Sequence, residues 1–335
     1  MQRFLCVIRS VIILLLSLAS HSSAQDGIYA SVYASSDFII GSKYSSIGLF
    51  FRGNADTAWA LLSRPNLKGF HSITREESGT RRIFLAAGSG LLTSSDGGKH
   101  WRTTTDWRVT EVLSIAYDAA NTSTIFISSA VGVFRSDDGA KTWQKKSEGL
   151  PASHVSKIII DRANPSRLLC TSEEGIFVSM DRGEHWKKII SSFMRIRSII
   201  QHPKSAEIFF AATEHDGMIV STDAGKSWRV SSKDFESKTL YVISIDSVDP
   251  NRMFAGGYGT GIYASTDGGS TWTQKTTGLG NLHIHAIAID HRDRKIIYAG
   301  TMGDGVYRSD DGGETWKSYG LRGKLVWSIE LEREK

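Results

Sequence analysis

The sequence predicts an all-β fold, a seven-bladed β-propeller of four-stranded antiparallel blades, from three observations. One octet containing Ser, Asp, Gly and Trp recurs along the chain, its tryptophans fall 42–44 residues apart, and each interval holds the same succession of short apolar strands. Four strands in about 43 residues is the size of one propeller blade, a unit that cannot bury its own faces and must stack on a neighbour.

The octet follows the pattern S-x-D-x-G-x-x-W. Its copies carry Asp96 and Trp101, Asp138 and Trp143, Asp181 and Trp186, Asp223 and Trp228, Asp267 and Trp272, and Asp311 and Trp316. Five copies are complete; the other has Ala140 in place of its second glycine. Trp59 stands 42 residues before Trp101, behind a degenerate stretch that starts at Arg52, which brings the units to seven.

Residues 284–316 show the blade most clearly. Ile284–Ile289, Ile296–Gly300, Gly305–Ser309 and Thr315–Ser318 read as four strands. The first strand of most units is apolar on both faces, as in Ile158–Ile160, which suits a strand near the central axis covered by blades on both sides. Asn164-Pro165, His202-Pro203 and Asp249-Pro250 then break the chain into turns. One inner strand is surplus. Leu325–Glu330 looks like a first strand after the seventh unit, while Ile28–Ala34 occupies the matching place in the first unit, and the expectation is that the C-terminal strand joins the first blade and seals the ring.

The octet falls in the turn between the third and fourth strands and needs no ligand to explain it. Its Asp accepts hydrogen bonds from turn N–H groups, its glycine supplies a positive φ, and its Trp buries a large area between blades. A calcium loop needs several acids at alternating positions, and a phosphate loop needs a G-K-[ST] ending; neither pattern is present. Six equivalent aspartates cannot all be one catalytic acid.

These octets resemble the Asp-box, or bacterial neuraminidase repeat, over residues 48–316. The family includes sialidases, xyloglucan-degrading endoglucanases, sortilin-type receptor ectodomains, and photosystem II assembly factors with their bacterial relatives. Seven short, evenly spaced units are most similar to the assembly-factor and sortilin-type propellers, which implies a non-catalytic protein. The resemblance to sialidases is incomplete, because Phe193-Met194-Arg195-Ile196-Arg197 lacks the proline of the F/Y-R-I-P motif and comes late in the chain. The xyloglucan enzymes resemble two such propellers face to face, and this chain supplies one.

Residues 1–24 read as a secretory signal peptide, with Arg3 and Arg9 before the apolar run Val11–Ala19 and small residues at Ser22 and Ala24. Cleavage is expected after Ala24, leaving residues 25–335 as a single propeller domain in a secreted or periplasmic protein. The apolar run is too short to span a membrane, and the remaining chain has no candidate span. With Cys6 removed, Cys170 is the lone thiol, so no intramolecular disulfide is available to the fold. The formal net charge of +5 falls to +3 once Arg3 and Arg9 leave with the signal peptide, and that surplus without a dense basic stripe argues against nucleic acid as partner.

Function in propellers lies on the face built by loops joining strand two to strand three and strand four to the next blade. There the candidate partner surface is Trp107, Arg108, Arg195, Arg197, Tyr258 and His283, residue types that dominate interface hot spots. Trp107 is the foremost candidate, an extra tryptophan in a short connection between blades. Arg195 and Arg197 are expected to face the same way. His283 and His285, two apart on a strand, are expected to form a hydrogen-bonded pair; a metal site would need a third ligand that the spacing does not supply. Glu214, Asp216 and Asp304 are read as solvated loop acids. The sequence therefore predicts an exported, non-enzymatic propeller acting as a protein-interaction or assembly scaffold, with no cofactor and no metal. A glycan-binding or glycan-cleaving propeller is the alternative.

Overall fold

A computed structural model describes residues 27–35, 47–62, 70–75, 82–118, 120–151, 154–190 and 195–332; the proposed signal peptide lies outside them. The described residues contain 28 strands in seven four-stranded antiparallel sheets, with one short 3-10 turn, Lys233–Phe235, as the exception to strand and loop. No helix among them is long and apolar enough to cross a membrane.

The inner strands of blades 2 to 7 are Phe70–Arg75, Val112–Asp118, Val155–Ile160, Ile196–Gln201, Leu240–Ile245 and Ile284–Ile289, and each begins its own blade. Blade 1 is assembled differently. Its inner strand is Lys324–Leu331, which pairs antiparallel with Gly27–Ser35, followed outward by Gly48–Gly53 and Ala60–Leu61. The termini do not compete for one place: the C-terminal strand takes the inner position, and the segment containing Ile28–Ala34, expected to be a rival inner strand, is the second strand.

Neighbouring blades share their cores. Phe126 of blade 3 packs with Ile158, Phe177 and Trp186 of blade 4, and Phe254 of blade 6 packs with Ile297, Tyr307 and Trp316 of blade 7. Blades also approach closely beside the inner strands. A Cβ on Gly256 would lie 2.8 Å from Cβ of Ile284, and one on Gly300 would lie 2.7 Å from Cγ1 of Val326, so the second strand tolerates only small residues at that level. Cys170 is fully buried in the same layer, where desolvation pushes its thiol pKa well up.

Each octet forms one repeated hydrogen-bond cage. Its Ser hydroxyl donates to Asp Oδ1 at 2.8 Å and accepts from the fifth residue's N–H at 2.7–2.9 Å. The seventh residue's N–H donates to the same Oδ1 at 2.9–3.0 Å, and its side chain reaches Oδ2 at 2.5–2.7 Å. That seventh residue is His100, Thr142, His185, Ser227, Thr271 or Thr315, always a hydrogen-bonding side chain. Fed by these bonds, Asp181, Asp223, Asp267 and Asp311 are pushed down to about 2, and Asp96 and Asp138 lie further below the usual carboxylate range.

The fourth and fifth residues of the box are both left-handed, which explains the Gly-Gly pairs. Arg182 and Ala224 hold the fourth position at φ 60°, and Ala140 holds the fifth at φ 67°, at a backbone cost of about 1–2 kcal/mol each. The box tryptophans lie in or against the shared cores. The indole N–H of Trp186 crosses to Lys146 O and that of Trp316 to Lys275 O, each on the preceding blade. The other geometry is local: Trp101, Trp228 and Trp272 donate to the glycine carbonyl within their own boxes.

Candidate functional site

All seven inner strands carry a β-bulge at the same register. The second strand's pairing skips one inner-strand residue per blade: His71, Leu113, Ser156, Arg197, Tyr241, His285 and Trp327. The residue just before each bulge is apolar, and from blade 3 round to blade 1 these are Val112, Val155, Ile196, Leu240, Ile284 and Val326, all at 0% exposure. A bulge bends the strand and re-aims the extra residue. Here it anchors one side chain in the blade and frees the next. Leu113, Ser156, Arg197, Tyr241, His285 and Trp327 line a cavity of about 310 Å³, joined by His154, Tyr258 and Met302 from the surrounding loops.

The ring is unlike from blade to blade. From blade 6 to blade 1 it is aromatic: Tyr241 stacks on His285 at 4.8 Å between ring centroids, His285 lies 4.7 Å from Trp327, and Tyr33 follows at 5.3 Å. Blades 3 and 4 contribute the smaller Leu113 and Ser156 opposite this wall. Arg197 leads into the aromatic arc, its guanidinium 6.0 Å from the Tyr241 ring.

Burial holds the His285 pKa down to about 4, helped by His283 and Arg197 nearby, so the imidazole is neutral at neutral pH. Its Nε2 is buried without a protein partner. Burial also raises the Tyr241 pKa. Beside Ser156, Lys157 is half-buried; desolvation lowers its pKa, and Glu330 on the closing strand works against that shift.

Of the acids read from sequence as solvated, Glu214 and Asp304 are engaged. Glu214 Oε1 accepts from Arg197 Nε at 2.6 Å and from Nη2. Asp304 accepts from the Tyr307 hydroxyl and lies 3.6 Å from Arg322 Nε. Tyr307 in turn accepts the N–H of Gly280 at 3.0 Å.

The structure places the six candidate surface residues as follows. Trp107 is 85% exposed, and Arg108 beside it pairs with Asp106 at 2.7 Å. Arg195 lies 3.3 Å from Glu173 on the blade 4 loop, whereas Arg197 turns to Glu214 and the Tyr241 ring, so the two arginines serve different neighbours and do not act as one forked pair. Tyr258 is 58% exposed and packs on His283 at 4.4 Å. The expected histidine pair is not formed. His283 accepts the Gly259 N–H at 3.0 Å, while His285 is held between Tyr241 and Trp327. Among the described residues, no cluster of three or more His, Cys, Asp or Glu is placed to hold a metal ion.

Of the six, only Arg197 and Tyr258 line the cavity. The residues that sequence reasoning left out of the surface are the other bulge residues. Their signal was present as a register: Leu113 and Ser156 each precede their box tryptophan by 30 residues, and Arg197, Tyr241 and His285 by 31.

The BNR/Asp-box repeat matches residues 307–318 of this chain. No curated protein matches the sequence. Among solved structures, the chain is similar to the GH74 enzyme of Niastella koreensis, with TM-score 0.74 and 15% identity over 89% of this chain and 52% of that one. It is also similar to YCF48 bound to D1 peptide, with TM-score 0.61 and 16% identity over 78% of this chain and 92% of that one. A third similar structure is the extracellular domain of BT4673 from B. thetaiotaomicron, with TM-score 0.63 and 12% identity over 86% of this chain and 38% of that one. These likenesses show the seven-bladed Asp-box propeller fold, which enzymes and peptide-bound proteins share. The chain spans about half the length of the GH74 structures it matches.

Proposed function

We propose that this is an exported, non-enzymatic propeller whose loop face, centred on the channel mouth, docks a protein partner. One observation carries the reading: the mouth cavity opens between two exposed apolar residues that line it, Tyr258 and Met302. A contiguous apolar surface rimmed by polar groups is the mark of an interaction site. The charged groups around it support the same reading, since Arg195, Arg197 and Arg322 each face an acid of the same surface. Trp107, with Arg108, extends the docking face beyond the cavity. Export rests on the N-terminal segment with its expected cleavage after Ala24. The peptide-bound state of one similar propeller supports a polypeptide ligand for this one.

A glycan-cleaving propeller is the second reading, favoured by the likeness to a GH74 enzyme and by the aromatic arc. Glycoside cleavage uses two carboxyl groups flanking one bond. Two of the sequence's three acidic candidates, Glu214 and Asp304, are bound to Arg197 and to Tyr307, which supports the non-enzymatic reading. The test pairs two measurements. Wild-type protein is assayed on aryl glycosides and xyloglucan against a heat-killed control, and partner capture is compared with a Trp107→Ala/Arg108→Ala/Arg195→Ala triple variant. The expected result is no hydrolysis, and capture that the triple variant weakens strongly without losing its fold. Hydrolysis by the wild type would put the glycan reading first.

A further inference from the structure

We propose that the channel mouth is a socket for a single aromatic side chain of the partner polypeptide, gripped between the Tyr241–His285–Trp327 wall and the smaller residues Leu113 and Ser156. The proposal rests on the protein-docking reading and names what is docked.

Size gives the first argument. A cavity of about 310 Å³ stands at the lower end of the range for small-molecule sites, about 300–1,000 Å³, which suits one large side chain better than a folded element.

Shape gives the second. Three rings from adjacent blades follow one another at 4.7–4.8 Å between centroids and 29–33° between planes, forming a continuous aromatic wall. A flat guest gains ring–ring contacts there that a branched aliphatic one does not. Met302, half-exposed at the rim, adds a polarizable thioether of the kind that favours aromatic neighbours.

Charge gives the third. Among the lining residues Arg197 is the permanent cation, and Glu214 neutralises it; His285 is uncharged at neutral pH. An anionic guest therefore meets a guanidinium already committed, and a cationic guest meets Arg197 with no free acid. A sugar would need many polar partners, whereas Leu113, Met302, Trp327 and the ring carbons of Tyr241 and Tyr258 make most of the lining apolar. The seven bulges supply the same geometry in every blade, so the guest is selected by which side chains occupy them.

The test uses N-acetyl-tryptophanamide, N-acetyl-leucinamide, N-acetyl-argininamide and cellobiose as probes, with saturation-transfer NMR and the Trp327 indole signal as readouts. The tryptophan amide should bind about tenfold more tightly than the leucine amide, the size of a favourable ring–ring contact, and shift the Trp327 signal. Ser156→Trp, which fills the socket from its open side, should abolish that binding with the melting temperature unchanged. Leu113→Trp provides the same block from the neighbouring blade if the first variant does not fold. Binding of the tryptophan amide that survives both variants, or preferential binding of cellobiose, would overturn the socket. If the intact partner is captured equally by wild type and Ser156→Trp, the socket fails while docking by the loop face stands. Hydrolysis in the separate glycoside assay would strike the docking reading itself.

Discussion

The indole N–H of Trp59 donates to the carbonyl of Tyr319 at 2.9 Å across 260 residues of chain. Trp59 belongs to the degenerate first unit, yet it makes the same crossing to the preceding blade that Trp186 and Trp316 make from intact boxes. Arg52 reinforces the junction, donating to the same carbonyl at 2.7 Å with its guanidinium 3.8 Å from the centre of the Tyr319 ring. The first unit has lost its cage and kept its staple.

Closure depends on the last strand. A chain ending at Gly323 lacks the inner strand of blade 1 and leaves Gly27–Ser35 as an open edge, a template for pairing with other chains. Light scattering should find oligomers or aggregates in place of monomer, and thermal unfolding should begin earlier. A monomer with unchanged heat stability would show that the strand does not seal the ring.

The octet's cage is tested at a buried member. In Ser265→Ala the N–H of Gly269 and Oδ1 of Asp267 each lose a hydroxyl partner, which should cost about 1–3 kcal/mol in urea unfolding. Thr271→Val removes the hydroxyl donor to Asp267 Oδ2 and should cost about 1 kcal/mol. If both variants unfold at the wild-type midpoint, the cage does not stabilise the turn.

The tight approach of Gly300 to Val326 predicts a rescue. A methyl on Gly300 meets Val326 Cγ1 and the Cβ of Ala286, so Gly300→Ala should destabilise by about 1–3 kcal/mol through overpacking. Val326→Ala in the same chain removes the obstructing atom, and the double variant should be more stable than the sum of the single changes allows. Strict additivity would mean that the contact is not tight.

Acid should weaken the fold in two ranges. His285 is held at about 4 against an ordinary value of 6.5, so between those values the unfolded chain takes up its proton first and stability falls as pH falls. His285→Gln should flatten that slope. Asp181, Asp223, Asp267 and Asp311 are held at about 2 against an ordinary 3.8; their contribution is complete above about pH 4 and is lost on going down to 2. His185 works in the opposite sense, since Asp181 raises its pKa and its contribution is present at low pH and lost as pH rises through that value; it is exposed and therefore screened. Urea midpoints measured from pH 7 to 2 in wild type and His285→Gln check both ranges, and a wild-type midpoint independent of pH would contradict them.

The fold was legible because its marks repeat. Asp267 and Trp272 stand in a turn whose chemistry is fixed by backbone geometry, and the same turn returns blade after blade. The cage was legible only in part: the seventh box position read as arbitrary, although Thr142, Ser227 and Thr315 there all supply a hydroxyl. The mouth was harder to read, because its geometry repeats while its side chains do not. Leu113, Tyr241 and Trp327 share a bulge and nothing else. The two-residue period of a strand also misled at this point. It placed His283 and His285 on one face, and Arg195 beside Arg197, but the inner strand carries an extra residue at His285 and at Arg197, and the members of each pair take different partners.

The interleaved first blade leaves the ends of the described chain side by side: the N–H of Glu332 donates to the carbonyl of Gly27 at 2.9 Å. A short linker across that gap, with the backbone opened in the connection between blades 6 and 7, would rethread the protein as a circular permutant made of seven continuous blades. Every sheet would survive, but no blade would any longer be stitched from both ends of the chain, and the seam would close by packing of faces alone. Comparing the unfolding rates of the two threadings would separate the strength of the ring from the strength of its clasp.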